Sequence, residues 1–124
     1  IDIPPATLGH SLTLLGATLD RQDTTVIIDG LWRVESHIPP PISISAHIYD
    51  PGGKFMYAND ALDIDPDLWH PNLQFIQRHT LVLPPEAKSG DYHVFLGLYR
   101  LDDGRRYTTN EGSDAVEIGM VTVE

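Results

Sequence analysis

Four aspartates crowd one short stretch of the chain, and their spacing comes nearest to a metal site. They are Asp60, Asp63, Asp65 and Asp67. Alternating carboxylates on a loop supply the oxygen ligands that Ca²⁺ prefers. The stretch lacks the glycine and the terminal glutamate of an EF-hand loop. A solvated acidic loop is therefore the favoured interpretation, a bound Ca²⁺ ion is the alternative, and we predict neither a metal nor any other cofactor.

The same stretch holds an aromatic residue with the chemistry to stack against a sugar ring. Trp69 follows the aspartates, and further tyrosines fall on the outward faces of predicted strands, at Tyr49, Tyr57 and Tyr99. An indole face flanked by carboxylates suits a saccharide, because the ring packs on the sugar while the carboxylates accept its hydroxyls. The candidate ligand-binding residues are Trp69, Tyr57, Asp63 and Asp65. In the favoured alternative, Trp69 covers one end of the core and the tyrosines are half-buried strand residues.

No combination of residues indicates catalysis. The chain has no cysteine, its six histidines show no HxH or HxxxH spacing, and there is no GxSxG motif. Paired carboxylates for glycoside hydrolysis need a cleft between them, which short strands and turns do not obviously form. We therefore predict no catalytic residues, and we predict that the protein is not an enzyme.

Charge and length restrict the classes of partner. Eighteen acidic and eight basic residues give a net charge of -10, the wrong sign for a phosphate backbone or an anionic membrane surface. The longest apolar runs span a few residues, whereas crossing a bilayer takes about 20. We predict no nucleic-acid partner and no membrane insertion of this segment. Its 124 residues predict one domain, 1–124, with its own core.

The elements that must position these residues are β-strands, because apolar and polar residues alternate with period two. The alternation is cleanest over 42–49 and 92–99, as expected for strands with one face buried. Similar patterns predict seven or eight strands in all, among them a short strand around Tyr107, and no segment has helical periodicity. The sequence therefore predicts an all-β, two-sheet antiparallel sandwich.

Glycines and prolines mark where the predicted strands bend or end. A change of phase beside Gly16 predicts a bulge or a strand that changes sheets, and Gly119 marks a second change. The three prolines at 39–41 cannot continue a central strand and predict a stiff connection. Residues 1–10 are interpreted as an N-terminal arm, and residues 60–72 as a long acidic surface loop, where function would most readily reside.

Two aromatic residues are predicted to anchor the core. Trp32 falls on the apolar face of its strand. Tyr92 follows a Leu-Pro corner and a glycine, a pattern that resembles the tyrosine corner of immunoglobulin-like sandwiches. That resemblance implies that Tyr92 buries its ring and turns its hydroxyl back to upstream backbone.

A wider pattern of strands and turns extends over most of the chain from Leu14 onward. It comprises Trp32 and the segments HIYDPGGK, DLWHP, RHTLVLPPEAKSGDYHVFLGLYRLDDGRR and DAVEIGMVTV. Together these resemble the immunoglobulin-like β-sandwich domain attached to some bacterial multi-pass glycosyltransferase-like membrane proteins. The resemblance implies a domain outside the cytoplasm, periplasmic or at the cell surface, without catalytic residues of its own. Gly30 stands where that pattern usually has a large apolar residue.

These observations predict a non-catalytic accessory or interaction module of a larger envelope-associated protein. Its expected partner is another protein or a neighbouring domain of its parent protein. The alternative is a carbohydrate-binding module that uses Trp69 and the exposed tyrosines. An enzyme ranks third.

Overall fold

Eight β-strands form two four-stranded antiparallel sheets in the computed structural model, which describes residues 3–124. The strands are β1 (Ala6–Leu8), β2 (Leu12–Gln22), β3 (Thr25–Val34), β4 (Ile42–Tyr49), β5 (Phe55–Ala58), β6 (Gln74–Val82), β7 (Gly90–Arg100) and β8 (Val116–Val123). The first sheet has the order β1-β2-β3-β6, and the second has the order β5-β4-β7-β8. The predicted immunoglobulin-like two-sheet β-sandwich is confirmed.

Alternating side chains build the core between the two sheets. Along β6 exposed and buried residues alternate without a break. On β7 the predicted inward face is buried throughout, at Tyr92, Val94, Leu96 and Leu98. Each strand thereby commits one face to the core and leaves the other face outward.

The two predicted core anchors are confirmed. Trp32 is fully buried. Tyr92 is buried as well, and its hydroxyl donates a 2.8 Å hydrogen bond to the backbone carbonyl of Lys88. This is the upstream bond that a tyrosine corner makes.

Both predicted changes of phase coincide with breaks in strand register. On β2 the register against β3 shifts between Leu14 and Gly16. Between β7 and β8 it shifts just after the pair that joins Val94 to Gly119. A bulge adds one residue to a strand and so exchanges its two faces. Strand β2 nevertheless remains in the first sheet, so the bulge is the correct one of the two predicted alternatives.

Three predicted segments differ in detail from the expectation. Within the N-terminal arm, residues 1–2 lie outside the described residues, and Ala6–Leu8 form an edge strand paired with β2. The acidic loop contains one turn of 3-10 helix, Pro66–Leu68. The short strand expected around Tyr107 is reduced to a single bridge between Tyr99 and Arg106.

The segment after β5 closes one side of the sandwich. Its backbone continues along β4, where Asn59 N donates to Ala46 O (2.9 Å) and Ala61 N donates to Ile44 O (3.0 Å). The Asn59 side chain reaches β6 in the other sheet, where its Oδ1 accepts from the backbone amide of Thr80 (3.3 Å). The segment therefore bridges the two sheets.

Candidate ligand-binding site

The predicted sugar platform does not form, because Trp69 is buried. Only 5% of Trp69 is exposed, and its ring packs on Phe75 with centroids 5.3 Å apart. The turn Pro66–Leu68 directs it inward, since the Trp69 amide donates to Pro66 O (3.0 Å). The expectation of an exposed stacking indole is wrong, and Trp69 belongs to the core as in the alternative interpretation.

The remaining predicted site residues lie in separate environments. Tyr57 on β5 is 46% exposed and lines a small apolar groove of about 270 Å³. The Asp63 carboxylate accepts from Gln77 Nε2 (3.1 Å), and the Asp63 amide donates to Gln77 Oε1 (2.7 Å). Asp65 caps the 3-10 turn by accepting from the Asp67 amide (3.0 Å). These contacts hold the loop in place, and ligand binding by Tyr57, Asp63 and Asp65 stays a prediction.

The acidic loop shows no grouping of side chains suited to a metal. Across residues 3–124, no three side chains drawn from histidine, aspartate and glutamate are placed to share an ion. Asp60 illustrates why, because its Oδ2 accepts from the Tyr99 hydroxyl (3.0 Å) while its Oδ1 lies 3.4 Å from His47 Nε2. The Asp60 carboxylate is held by groups of the second sheet, whereas that of Asp63 is held by Gln77 of the first sheet.

A cavity of about 910 Å³ lies against the outer face of the second sheet. Strand β4 contributes Tyr49, β7 contributes His93 and Phe95, and the β7–β8 loop (residues 101–115) contributes Arg106 and Asp114. A second cavity of about 110 Å³ shares four of these residues and adds Ser45 and His47. We call the two cavities together the outer-sheet pocket. The larger of the two cavities falls within the range of about 300–1,000 Å³ typical of small-molecule sites.

Strand register brings the floor of the pocket together. Because β4 and β7 are antiparallel, His47 pairs with Phe95 and Tyr49 pairs with His93. The rings of Tyr49 and Phe95 meet edge to face, with centroids 5.3 Å apart and planes at 84°. Both are half-buried and face away from the core. We call Tyr49 and Phe95 the aromatic floor.

The row of rings continues beyond the floor onto β5. Phe55 lies edge to face with Tyr49, at 5.8 Å between centroids, and with His47, at 5.2 Å. Phe55 is an exposed aromatic residue on the outer face. Edge-to-face pairs of this kind fix ring orientation at low entropic cost.

Arg106 forms one wall of the pocket, and its guanidinium is fastened to strand β4 and to the β7–β8 loop. Its Nη2 donates to Ser45 Oγ (2.5 Å), and its Nε donates to the backbone carbonyl of Asp114 (3.2 Å). The guanidinium also lies 5.7 Å from the centre of the Tyr99 ring, a cation–π distance. A Cβ atom at Gly97 would approach Arg106 Nη2 to 2.4 Å. Only glycine at position 97 leaves room for this arrangement.

Two histidines border the pocket, each beside a carboxylate. His93 Nδ1 lies 2.5 Å from Glu117 Oε2. His47 faces Asp60, yet burial outweighs that carboxylate and lowers the pKa of the His47 imidazole. A lowered pKa keeps His47 neutral at pH 7. The pocket therefore combines aromatic faces, a fixed guanidinium, imidazole groups and exposed carboxylates.

Fold and pocket define an immunoglobulin-like β-sandwich domain with a pocket on one outer sheet face. No protein-family model matches the chain, and no curated protein is similar to it. Over residues 3–124 the structure contains no helix with the length and apolar character to span a membrane.

Proposed function

We propose that this chain is a non-catalytic interaction module that binds its ligand in the outer-sheet pocket. The observation behind the proposal is the aromatic floor. Tyr49 and Phe95 point away from a core that other residues already fill. Half-buried aromatic rings beside a few polar groups are the usual composition of a binding site.

The polar groups of the pocket support binding over chemistry. Ser45 is buried and its hydroxyl accepts from Arg106, so it is not paired with a histidine as a nucleophile would be. The guanidinium of Arg106 is fixed by Ser45 and by the Asp114 carbonyl. Groups held in this way suit recognition of a ligand that enters a preformed site.

We also propose that the module belongs to a larger envelope-associated protein and acts outside the cytoplasm. The resemblance to sandwiches attached to glycosyltransferase-like membrane proteins supports this. Two residues that carry the resemblance, Trp32 and Tyr92, are buried together with the core of the sandwich. The gene context tests the parentage, because a multi-pass hydrophobic region encoded ahead of this segment is the expected finding.

A fragment screen by ¹H–¹⁵N NMR tests the binding proposal. We expect weakly binding fragments to shift the amides of Tyr49, Phe95 and the β7–β8 loop in preference to the rest of the surface. Tyr49→Ala should abolish these shifts. Ile76→Ala is the control, because Ile76 is an exposed apolar residue on the first sheet that does not line the pocket.

Two results would contradict the proposal. One is a fragment pattern that avoids the outer-sheet pocket. The other is turnover of chromogenic glycosides, esters or phosphates that copurifies with the domain and is lost in Arg106→Ala or His93→Ala. Such turnover would show that the domain is an enzyme and not an interaction module.

A further inference from the structure

We infer that the outer-sheet pocket takes a neutral oligosaccharide, stacked on Tyr49 and Phe95 and hydrogen-bonded by Arg106, His93 and Asp114. The inference rests on the proposed binding function and names the class of ligand. It places the saccharide site on the second sheet, away from Trp69.

The aromatic floor suits the apolar faces of a sugar ring. Pyranose rings present patches of C–H groups, which pack on the negative face of an aromatic ring. Tyr49 and Phe95 offer two rings that are half-buried yet open to the cavity. Phe55 adds an exposed ring 5.8 Å from Tyr49. The three rings are turned edge to face, Phe55 and Phe95 each against Tyr49, so a ligand with several sugar units has more than one ring to pack on.

The polar groups around the floor both donate and accept hydrogen bonds. Arg106 keeps its Nη1 group without a hydrogen bond to any residue in 3–124. The side chain of Asp114 is mostly exposed and lies 3.9 Å from Arg106 Nε. Sugar hydroxyls donate and accept at once, so they can satisfy a guanidinium and a carboxylate that lie side by side.

The charges of the pocket favour a neutral ligand. An anion would meet the carboxylate of Asp114 in the pocket wall, on a chain whose net charge is -10. A quaternary ammonium ion would suit the rings, but it would meet the permanently charged Arg106 guanidinium. The wall carries a positive charge next to a negative charge, so it is complementary neither to an anionic ligand nor to a cationic one.

The tip of the β7–β8 loop is held in shape by hydrogen bonds within the loop itself. The tip forms a closed turn, in which Thr109 N donates to Ser113 O (2.8 Å) and Gly112 N donates to Thr109 O (3.0 Å). Ser113 N also donates to the Thr109 hydroxyl (3.2 Å). A preformed wall reduces the ordering cost of binding, which matters for weak saccharide ligands.

Titration of the ¹⁵N-labelled domain with defined oligosaccharides tests the inference. The neutral probes are cellohexaose, xylohexaose, mannohexaose and chitohexaose. The charged comparison ligands are hexagalacturonate, an anion, and choline, a cation. We expect saturable shifts at Tyr49, His93 and Phe95 with at least one neutral probe at millimolar concentration. Phe95→Leu and Tyr49→Ala should each weaken binding about tenfold or more, whereas Ile76→Ala, at an exposed position on the first sheet, should leave it unchanged.

Folding is checked separately from binding. Tyr49→Phe keeps the ring and should retain affinity, so a loss confined to Tyr49→Ala with a native spectrum reports stacking. Asp114→Asn should weaken the neutral probe while the fold persists.

The outcomes separate the two proposals. Fragments that cluster in the pocket while no neutral oligosaccharide binds would overturn the saccharide inference and leave the interaction module standing. Tighter binding of hexagalacturonate or choline than of every neutral probe would also overturn it. If fragments and saccharides both avoid the pocket, both proposals fall.

Discussion

A Cβ atom at Gly30 would lie only 2.9 Å from Nε1 of Trp32, the largest fully buried side chain. It would also lie 3.1 Å from Cδ1 of Leu96 in the opposite sheet. Gly30 therefore leaves space for the indole two residues further along the same strand. This close approach explains why a glycine occupies a position where the sequence pattern leads one to expect a large apolar residue.

Gly30→Ala should destabilise the fold by about 1–3 kcal/mol, because an added methyl group overpacks a filled site. Urea unfolding followed by tryptophan fluorescence measures the loss. Gly16→Ala is the matched control, since a Cβ there meets no atom within 4 Å. Equal stability of the two variants would mean that the indole has more room than the structure gives it.

Trp69→Ala should reduce the free energy of unfolding by about 3–5 kcal/mol, a loss similar to that expected for Trp32→Ala. The reason is that Trp69 is buried against Phe75. A surface-loop indole would lose far less. Chemical denaturation of the two variants side by side measures the two losses. A loss below about 1 kcal/mol for Trp69→Ala would mean that Trp69 lies at the surface and not in the core.

Tyr92→Phe should cost about 0.5–1.5 kcal/mol, the net value of one hydrogen bond. The substitution keeps the buried ring and removes only the bond from the hydroxyl to Lys88 O. Tyr57→Phe should change stability little, because that ring is exposed. A Tyr92→Phe variant as stable as the parent would show that the corner depends on ring packing alone.

Stability should fall as the pH drops below about 6.5, in part because of His79. This residue is 1% exposed, its Nδ1 lies 2.8 Å from the Asn59 carbonyl, and burial lowers the pKa of its imidazole. Donation from Nδ1 leaves Nε2 without a proton and without a partner in residues 3–124. Protonation is therefore costlier in the folded state than in the unfolded state.

The sign follows from the lowered pKa. At a pH between the ordinary pKa of histidine and the lower pKa of His79 in the folded state, unfolding takes up a proton. The contribution of neutral His79 to the free energy of unfolding is therefore complete above this pH range and is lost as the pH falls through it. Urea midpoints measured from pH 7.5 to 5 should fall less steeply in His79→Gln than in the parent. His37→Gln, at an exposed position, should follow the parent. Identical slopes for parent and His79→Gln would contradict a buried neutral imidazole.

Most of the fold could be read from local patterns. The alternation from Tyr92 to Leu98 predicts which face of β7 is buried, and the phase change at Gly16 predicts the bulge in β2. Trp69 could not be placed in this way, because its burial depends on a turn at Pro66–Leu68 and on a distant partner, Phe75. Local periodicity contains neither fact.

Local patterns do not predict the pocket, for a related reason. Its residues come from β4, β7 and the β7–β8 loop, and they meet only through a pairing register that the sequence does not state. One signal was present, since Tyr49 and Phe95 are aromatic on faces that are otherwise polar. Two such faces on adjacent strands indicate a surface kept apolar for contact.

The bridge made by Asn59 has a further consequence for how copies of this domain behave toward each other. Within residues 3–124, strand β6 pairs only with β3, so its other edge would offer unpaired amides to a neighbouring molecule. The Asn59 side chain takes the Thr80 amide, and Asp63 is fastened beside it through Gln77. The start of the acidic loop thus covers the edge of β6 and blocks intermolecular strand pairing there. It also places negative charge beside an edge that would otherwise favour aggregation.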